Sequence, residues 1–192
     1  GRQRVITRKI LVEQIRRKLA GGNVPNNFAI TELEVGKQVD QVANAVIKIA
    51  CLNEGFDNFL TTYEDVKIVK DTLKDIYYCE LPAKVIGFKN QEGVYQVSTM
   101  QDQSSLFTPC PTNVQWMSGE KINEQLQGRS GYYNQQQKLY FVNYSPSTNT
   151  DTILLKLIVD RSYLDEEDDY QITPDLQKLI LQETFNFYAP VK

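Results

Sequence analysis

Over the first fifty positions, apolar residues recur with the period of an α-helix. Leu11, Val12, Ile15 and Leu19 form one stripe. They predict a helix from about Thr7 to Ala20, with Thr7 as N-cap and Gly21-Gly22 as its stop. A longer stripe follows, made by Val35, Val39, Val42, Val46 and Ile49 with Ala43 and Ala50 beside them. Thr31-Glu32-Leu33-Glu34 opens it as a capping box, and Ile30 and Val35 are spaced as a hydrophobic staple. The predicted helix runs from the Thr31 cap to Leu52, about 30 Å at 1.5 Å per residue, and Asn53-Glu54-Gly55 closes it. Gly36, near its start, suits a close approach to another helix.

Beyond residue 55 the period changes. Leu60 to Val69 and Ile76 to Leu81 read as strands joined by a hairpin around Asp71 to Asp75. Val85 to Phe88 reads as a short strand, and Gln91-Glu92-Gly93 as a turn before a strand from Val94 to Met100. Residues 101–131 hold scattered Pro and Gly with isolated Phe107, Trp116 and Met117, and predict a long loop or extended arm. Trp116 reads as an anchor against the protein's own core. Tyr132-Tyr133 and Leu139 to Val142 form a hairpin around a four-residue loop, Asn134 to Gln137. Ser145 to Asp151 is a polar turn. Thr152 to Val159 is apolar on both parities, the mark of a strand buried on both faces. A last helix starts at Thr173-Pro174-Asp175, with Leu176, Leu179, Ile180 and Phe187 as its apolar stripe.

Helices at the two ends and five to seven strands between them give an α+β class. The expected architecture is a helical layer, made by the N-terminal pair and the C-terminal helix, beside an antiparallel β-sandwich or small barrel. One domain covers residues 1–192: the helical pair to 55, a β-rich part over 56–164, and a returning helix over 170–192.

Composition changes this picture in a few places. The chain has 192 residues, a net charge of −3, no histidine, three cysteines and eleven tyrosines. Thirteen asparagines and seventeen glutamines add many neutral hydrogen-bonding groups, which suit polar protein–protein surfaces. Cys51, Cys79 and Cys110 lack paired spacing, so reduced thiols are expected, not a disulfide framework or zinc site. No run reaches the 18 apolar residues of a membrane span, and no signal peptide is visible.

Charge is segregated. Residues 1–18 carry Arg2, Arg4, Arg8, Lys9, Arg16, Arg17 and Lys18 against Glu13 alone, while Asp165-Glu166-Glu167-Asp168-Asp169 is a solid acidic run. The plain reading of each is a solvated face. The sharper one is an interface: Arg8, Lys9, Arg16, Arg17 and Lys18 facing DNA or an acidic neighbour, and residues 165–169 facing a basic one, as in head-to-tail contact between identical subunits.

Catalytic signatures are missing. Without histidine, Ser-His-Asp and Cys-His arrangements are excluded. There is no Walker loop and no G-x-G-x-x-G. The acidic run lacks the spacing of a calcium loop. No enzyme activity, metal or cofactor is expected.

Ile6-Thr7-Arg8-Lys9, leading into Leu11, Ile15 and Leu19, is followed by Gly21-Gly22. Ile30-Thr31 then opens a long helix through Ala43, Ala45-Val46-Ile47-Lys48 and Glu54. This pattern resembles the N-terminal region of virion proteins from crAss-like phages, short-tailed viruses of gut Bacteroidota. The resemblance continues in Thr61-Thr62-Tyr63, Lys70-Asp71, Tyr77-Tyr78-Cys79-Glu80-Leu81-Pro82 and Ile172-Thr173-Pro174, over roughly two thirds of the chain. It implies a structural virion protein: an adaptor or ring subunit of the head-to-tail connector below the portal. Such a subunit is typically dodecameric, touches portal and tail proteins and surrounds packaged DNA without reading its sequence. It is assembled in the host cytoplasm and has no membrane partner. The alternative expectation is a tail-associated binding module, contacting a glycan or another tail protein through Trp116 and the Tyr132-Tyr133 hairpin.

Overall fold

The computed structural model describes residues 5–88, 93–103, 105–111, 119–146 and 152–189. The class is α+β. Among the described residues, four helices and eight strands divide into two compact units, one from the N-terminal part to residue 59 together with the chain from 159 on, the other over 60–158. The sequence-based boundaries at 55 and 164 shift because the Phe59 turn and the 161–163 turn belong to the helical unit.

The helical unit contains α1 (Arg8–Ala20), α2 (Glu32–Glu54) and α4 (Pro174–Tyr188). Their ends follow the predicted chemistry. Thr7 Oγ1 accepts from the Ile10 amide at 3.3 Å, Thr31 Oγ1 from Glu34 at 3.2 Å, and Thr173 Oγ1 from Leu176 at 3.4 Å. Gly21, at φ 72°, turns the chain so that the Gly22 amide donates to Arg17 O at 3.0 Å. Leu11, Val12, Ile15, Val35, Val39, Ala43, Val46, Tyr170 and Ile180 make one core, so α4 does return to the N-terminal pair.

Two predicted stripes are corrected. On α2, Ile49 is 60% exposed, while Ile47 and Cys51, outside the predicted stripe, are buried. The reason is that α2 packs against α1, α4 and the 161–163 turn, which widens its buried face and rotates it toward Ile47. On α4, Leu179 and Phe187 are exposed, and Thr184 takes the buried position. Gly36 does not serve an unusually close approach. A Cβ there would meet Arg8 Cδ at 3.6 Å and Val12 Cγ2 at 3.8 Å, which is ordinary contact.

The β unit holds two sheets. One is antiparallel with order β1-β8-β4: β1 (Thr61–Lys67), β4 (Val94–Thr99) and β8 (Thr152–Leu157). β8 is central, and Ile153, Leu154, Leu155 and Leu157 are all buried, as its unbroken apolar run requires. The other sheet has order β2-β3-β7-β6-β5: β2 (Val69–Asp71), β3 (Ile76–Glu80), β5 (Thr108–Pro109), β6 (Gly131–Gln135) and β7 (Lys138–Val142). It is mixed, since β5 runs parallel to β6. The predicted strand over 60–69 is therefore two strands in different sheets; a bulge between Tyr63 and Val66 and a break at Ile68 make the change.

The Asp71–Asp75 hairpin is present between β2 and β3, with Asp71 Oδ1 accepting from Leu73 and Lys74. The second hairpin has a two-residue turn, not four. Gln135 pairs with Lys138, and Gln136 and Gln137 have φ of 52° and 64°, the type I′ pattern. Val85 to Phe88 is not a strand; the Ile86 amide donates to Ile158 O at 2.9 Å. Among the described residues of the predicted arm over 101–131, Leu106 bridges to Ser98, β5 follows, and α3 (Gly119–Leu126) lays Ile122 and Leu126 on Tyr133 and Tyr140. Trp116, the Gln91-Glu92 part of the predicted turn and residues 147–151 of the Ser145 turn lie outside the described residues.

Candidate functional site

Arg8 begins α1 directly after its cap, and its side chain turns inward. Nε donates to Asp40 Oδ1 at 2.9 Å, and Nη2 donates to Arg161 O at 2.6 Å and Leu164 O at 2.7 Å. Asp40 Oδ1 also accepts from the Tyr170 hydroxyl at 2.5 Å. One guanidinium thus ties α1 to α2 and to the 161–170 segment, and only 13% of its side chain is exposed. Burial works against the Arg8 charge, but the Asp40 carboxylate outweighs it and holds the group above its ordinary value. Burial also pushes the Asp40 carboxyl up, against the hydrogen bonds from Tyr170 and Arg8 that pull it down. Arg8 is therefore a structural clamp and not a cation turned toward DNA.

Beside this clamp lies Arg161, fully buried. Its Nη1 donates to Val159 O at 2.5 Å, while Nε and Nη2 make no hydrogen bond among the described residues. Burial lowers its affinity for the proton. The backbone around it is held by Asn44, whose Oδ1 accepts from the Arg161 amide at 2.9 Å and whose Nδ2 donates to Asp160 at 2.8 Å. Sequence reasoning missed Asp40, Asn44, Arg161 and Tyr170. Asp40 carried a usable signal: it adjoins Val39 on the buried side of α2, where a carboxylate demands a cation.

The other predicted basic residues have separate fates. Arg16 donates from Nε to Ile30 O at 3.1 Å and pairs with Glu32 at 3.2 Å, which holds it along the α1–α2 seam. Arg17 is exposed and pairs with Glu13 one turn back. Lys18 places its ammonium 4.1 Å above the Phe185 ring, beside a groove of about 550 Å³ between α1 and α4. Lys9 meets the acidic run of its own chain: its amide donates to Glu166 O at 3.2 Å, and its ammonium lies 3.4 Å from Glu167. The expectation of opposite charges at two ends is corrected; α1 and the acidic run are neighbours within one unit.

The run itself is a set of turns. Asp168 Oδ2 accepts from the Asp165 amide at 2.8 Å, Asp169 Oδ1 accepts from Gln171 at 2.9 Å, and all five acids are exposed. Among the described residues, no three His, Cys, Asp or Glu side chains converge to hold a metal ion.

Four of the five predicted cations, Arg8, Lys9, Arg16 and Arg17, line one groove of about 1350 Å³, with Lys37 of α2 on its opposite bank and Phe28 and Leu33 at one end. Glu13, Glu32, Asp40 and Glu166 line the same groove, and Arg8, Arg16 and Arg17 are paired with Asp40, Glu32 and Glu13, so its wall is mixed in charge. The Tyr132-Tyr133 hairpin does not present a stacking platform, because both rings are buried. No helix among the described residues is long and apolar enough to cross a membrane. No protein-family model matches this chain, and no curated protein matches it.

Proposed function

We propose that this chain is a structural subunit of the head-to-tail connector in a crAss-like, short-tailed phage, one copy in a ring that joins the portal to the tail around the DNA channel. One observation carries the reading: the N-terminal residues of the resemblance, from Thr7 to Thr31, build the helical unit. Thr7 and Thr31 cap its helices, Gly21 stops the first, Leu11 and Ile15 fill its core, and Arg8 clamps it. A likeness located in caps, stops and core is a likeness of fold, which is the kind that ring subunits share. Arg17, Lys18 and Lys37 remain toward the surface, where they suit sequence-independent contact with phosphates.

The test is proteomics of purified virions followed by symmetric averaging of the portal vertex. The expected outcome is this chain inside the particle, in a ring of portal-matched, dodecameric copy number. A chain found only outside the particle overturns the reading.

A further inference from the structure

We propose that the groove between α1 and α4 docks an extended acidic segment of a partner protein, one that carries two carboxylates with a large apolar side chain between them. This stands on the geometry of the helical unit and does not rest on the virion reading.

The groove, of about 550 Å³, is lined by apolar, amide and cationic side chains alone. Lys18 and Lys178 are its charged groups, and no acidic residue lines it. Both lysines are exposed, and among the described residues neither is paired with a carboxylate. The α1–α2 groove differs on both counts, since acids line it and Arg8, Arg16 and Arg17 are paired there.

Lys18 is held by the face of Phe185, 4.1 Å from its ammonium. A ring attracts a cation without neutralising it, so the charge remains for an anion to meet. Lys178 stands seven residues before Phe185 on α4, about 10 Å along the helix. The two cations thus lie on opposite banks, one on α1 and one on α4, about 10 Å apart along the groove. Leu181 falls between them on α4 and gives the groove an apolar middle. Gln177 Nε2 donates to Gln14 Oε1 at 3.5 Å across the groove, so amide donors and acceptors are at hand for peptide groups.

An extended peptide answers each of these features. Three residues span about 10 Å at 3.3 Å per residue, and side chains three apart point to opposite sides, hence to opposite banks. An apolar side chain between the two carboxylates meets Leu181 and the Phe185 ring. A DNA duplex would leave that apolar surface uncovered, because it cannot enter a gap between helices whose axes pack about 8–10 Å apart.

An NMR titration of the isotope-labelled protein with the peptide acetyl-Gly-Asp-Leu-Ser-Asp-Gly-amide tests this. The expected result is amide shifts centred on Lys18, Lys178 and Phe185, with an affinity that falls as salt rises. A protein carrying Lys18→Glu and Lys178→Glu should bind about tenfold more weakly or worse, since two exposed ion pairs are lost. Both positions are exposed, so this protein is expected to fold, which circular dichroism checks. The peptide with Asn for both Asp should lose affinity to the same degree, and the peptide with Ser for Leu should also bind more weakly. No shifts at about millimolar peptide overturn the proposal. So do undiminished binding by the reversed protein, shifts centred on the α1–α2 groove, tighter binding of an oligothymidylate to the same two lysines, or self-association of the chain that the double substitution abolishes.

Discussion

Thr184 occupies a buried position on α4, one turn after Ile180, where the helical spacing calls for an apolar side chain. Its hydroxyl has no hydrogen-bond partner among the described residues. A buried hydroxyl without a partner costs about 1–3 kcal/mol, and valine keeps the shape while removing it. Thr184→Val is therefore expected to stabilise the protein by about 1 kcal/mol, read as a higher urea midpoint at unchanged slope. Titration gives a second prediction at this scale. Burial pushes the Cys79 thiol up to about 12 and Cys51 up to about 11, from an ordinary 9.0. A raised folded-state value means the folded chain keeps its proton while the unfolded chain loses it. The contribution is thus complete below pH 9 and is lost as pH rises toward 11 and 12. The urea midpoint is expected to fall from pH 9 upward, and to fall less steeply in Cys79→Ala than in the wild type.

At the scale of elements, two glycines separate backbone need from spare space. Gly93 precedes β4 with φ 74°, and a Cβ there would lie 2.4 Å from Ile86 O and 2.7 Å from Val85 Cβ. Its carbonyl also accepts from the Ile158 amide at 2.8 Å, which joins the start of β4 to the end of β8. Gly93→Ala combines an unfavourable φ with a backbone clash and is expected to cost more than about 2 kcal/mol. Gly36 is the opposite case: its helical position has room for a methyl group, so Gly36→Ala should stabilise α2 by up to about 1 kcal/mol. Thermal unfolding of both variants checks the pair of signs. Helix starts were readable to the residue, because a cap is a local contest for three or four amides. Strand partners were not: the run from Leu60 to Val69 has one local character, yet its halves pair with β8 and β3, which lie far apart in sequence. The Gln136-Gln137 turn was misread because it lacks the Asn or Gly that normally marks two left-handed residues.

At the scale of the whole molecule, charge looks different in space than along the chain. The basic start and the acidic run stand more than 140 residues apart in sequence, yet Lys9 touches Glu166 and Glu167. That contact is exposed and of low energetic weight, while the Arg8–Asp40 pair is nearly enclosed. Neutralising both Glu166 and Glu167 to glutamine should cost less than about 1 kcal/mol. Asp40→Ala leaves Arg8 and Tyr170 without their acceptor and should cost about 3–5 kcal/mol. Urea denaturation of the two variants side by side measures the contrast. What the sequence determined by itself was the α+β class, the three capped helices, the doubly buried β8 and the positions of the charges. Each of these rests on neighbours within a few residues, where spacing and side-chain chemistry act directly. Only the tertiary structure decided which cations stay exposed. That choice depends on Asp40, Arg161 and Leu164, from distant parts of the chain, holding Arg8 of α1 inward, and on a core that buries Ile47 of α2 and leaves Ile49 to water.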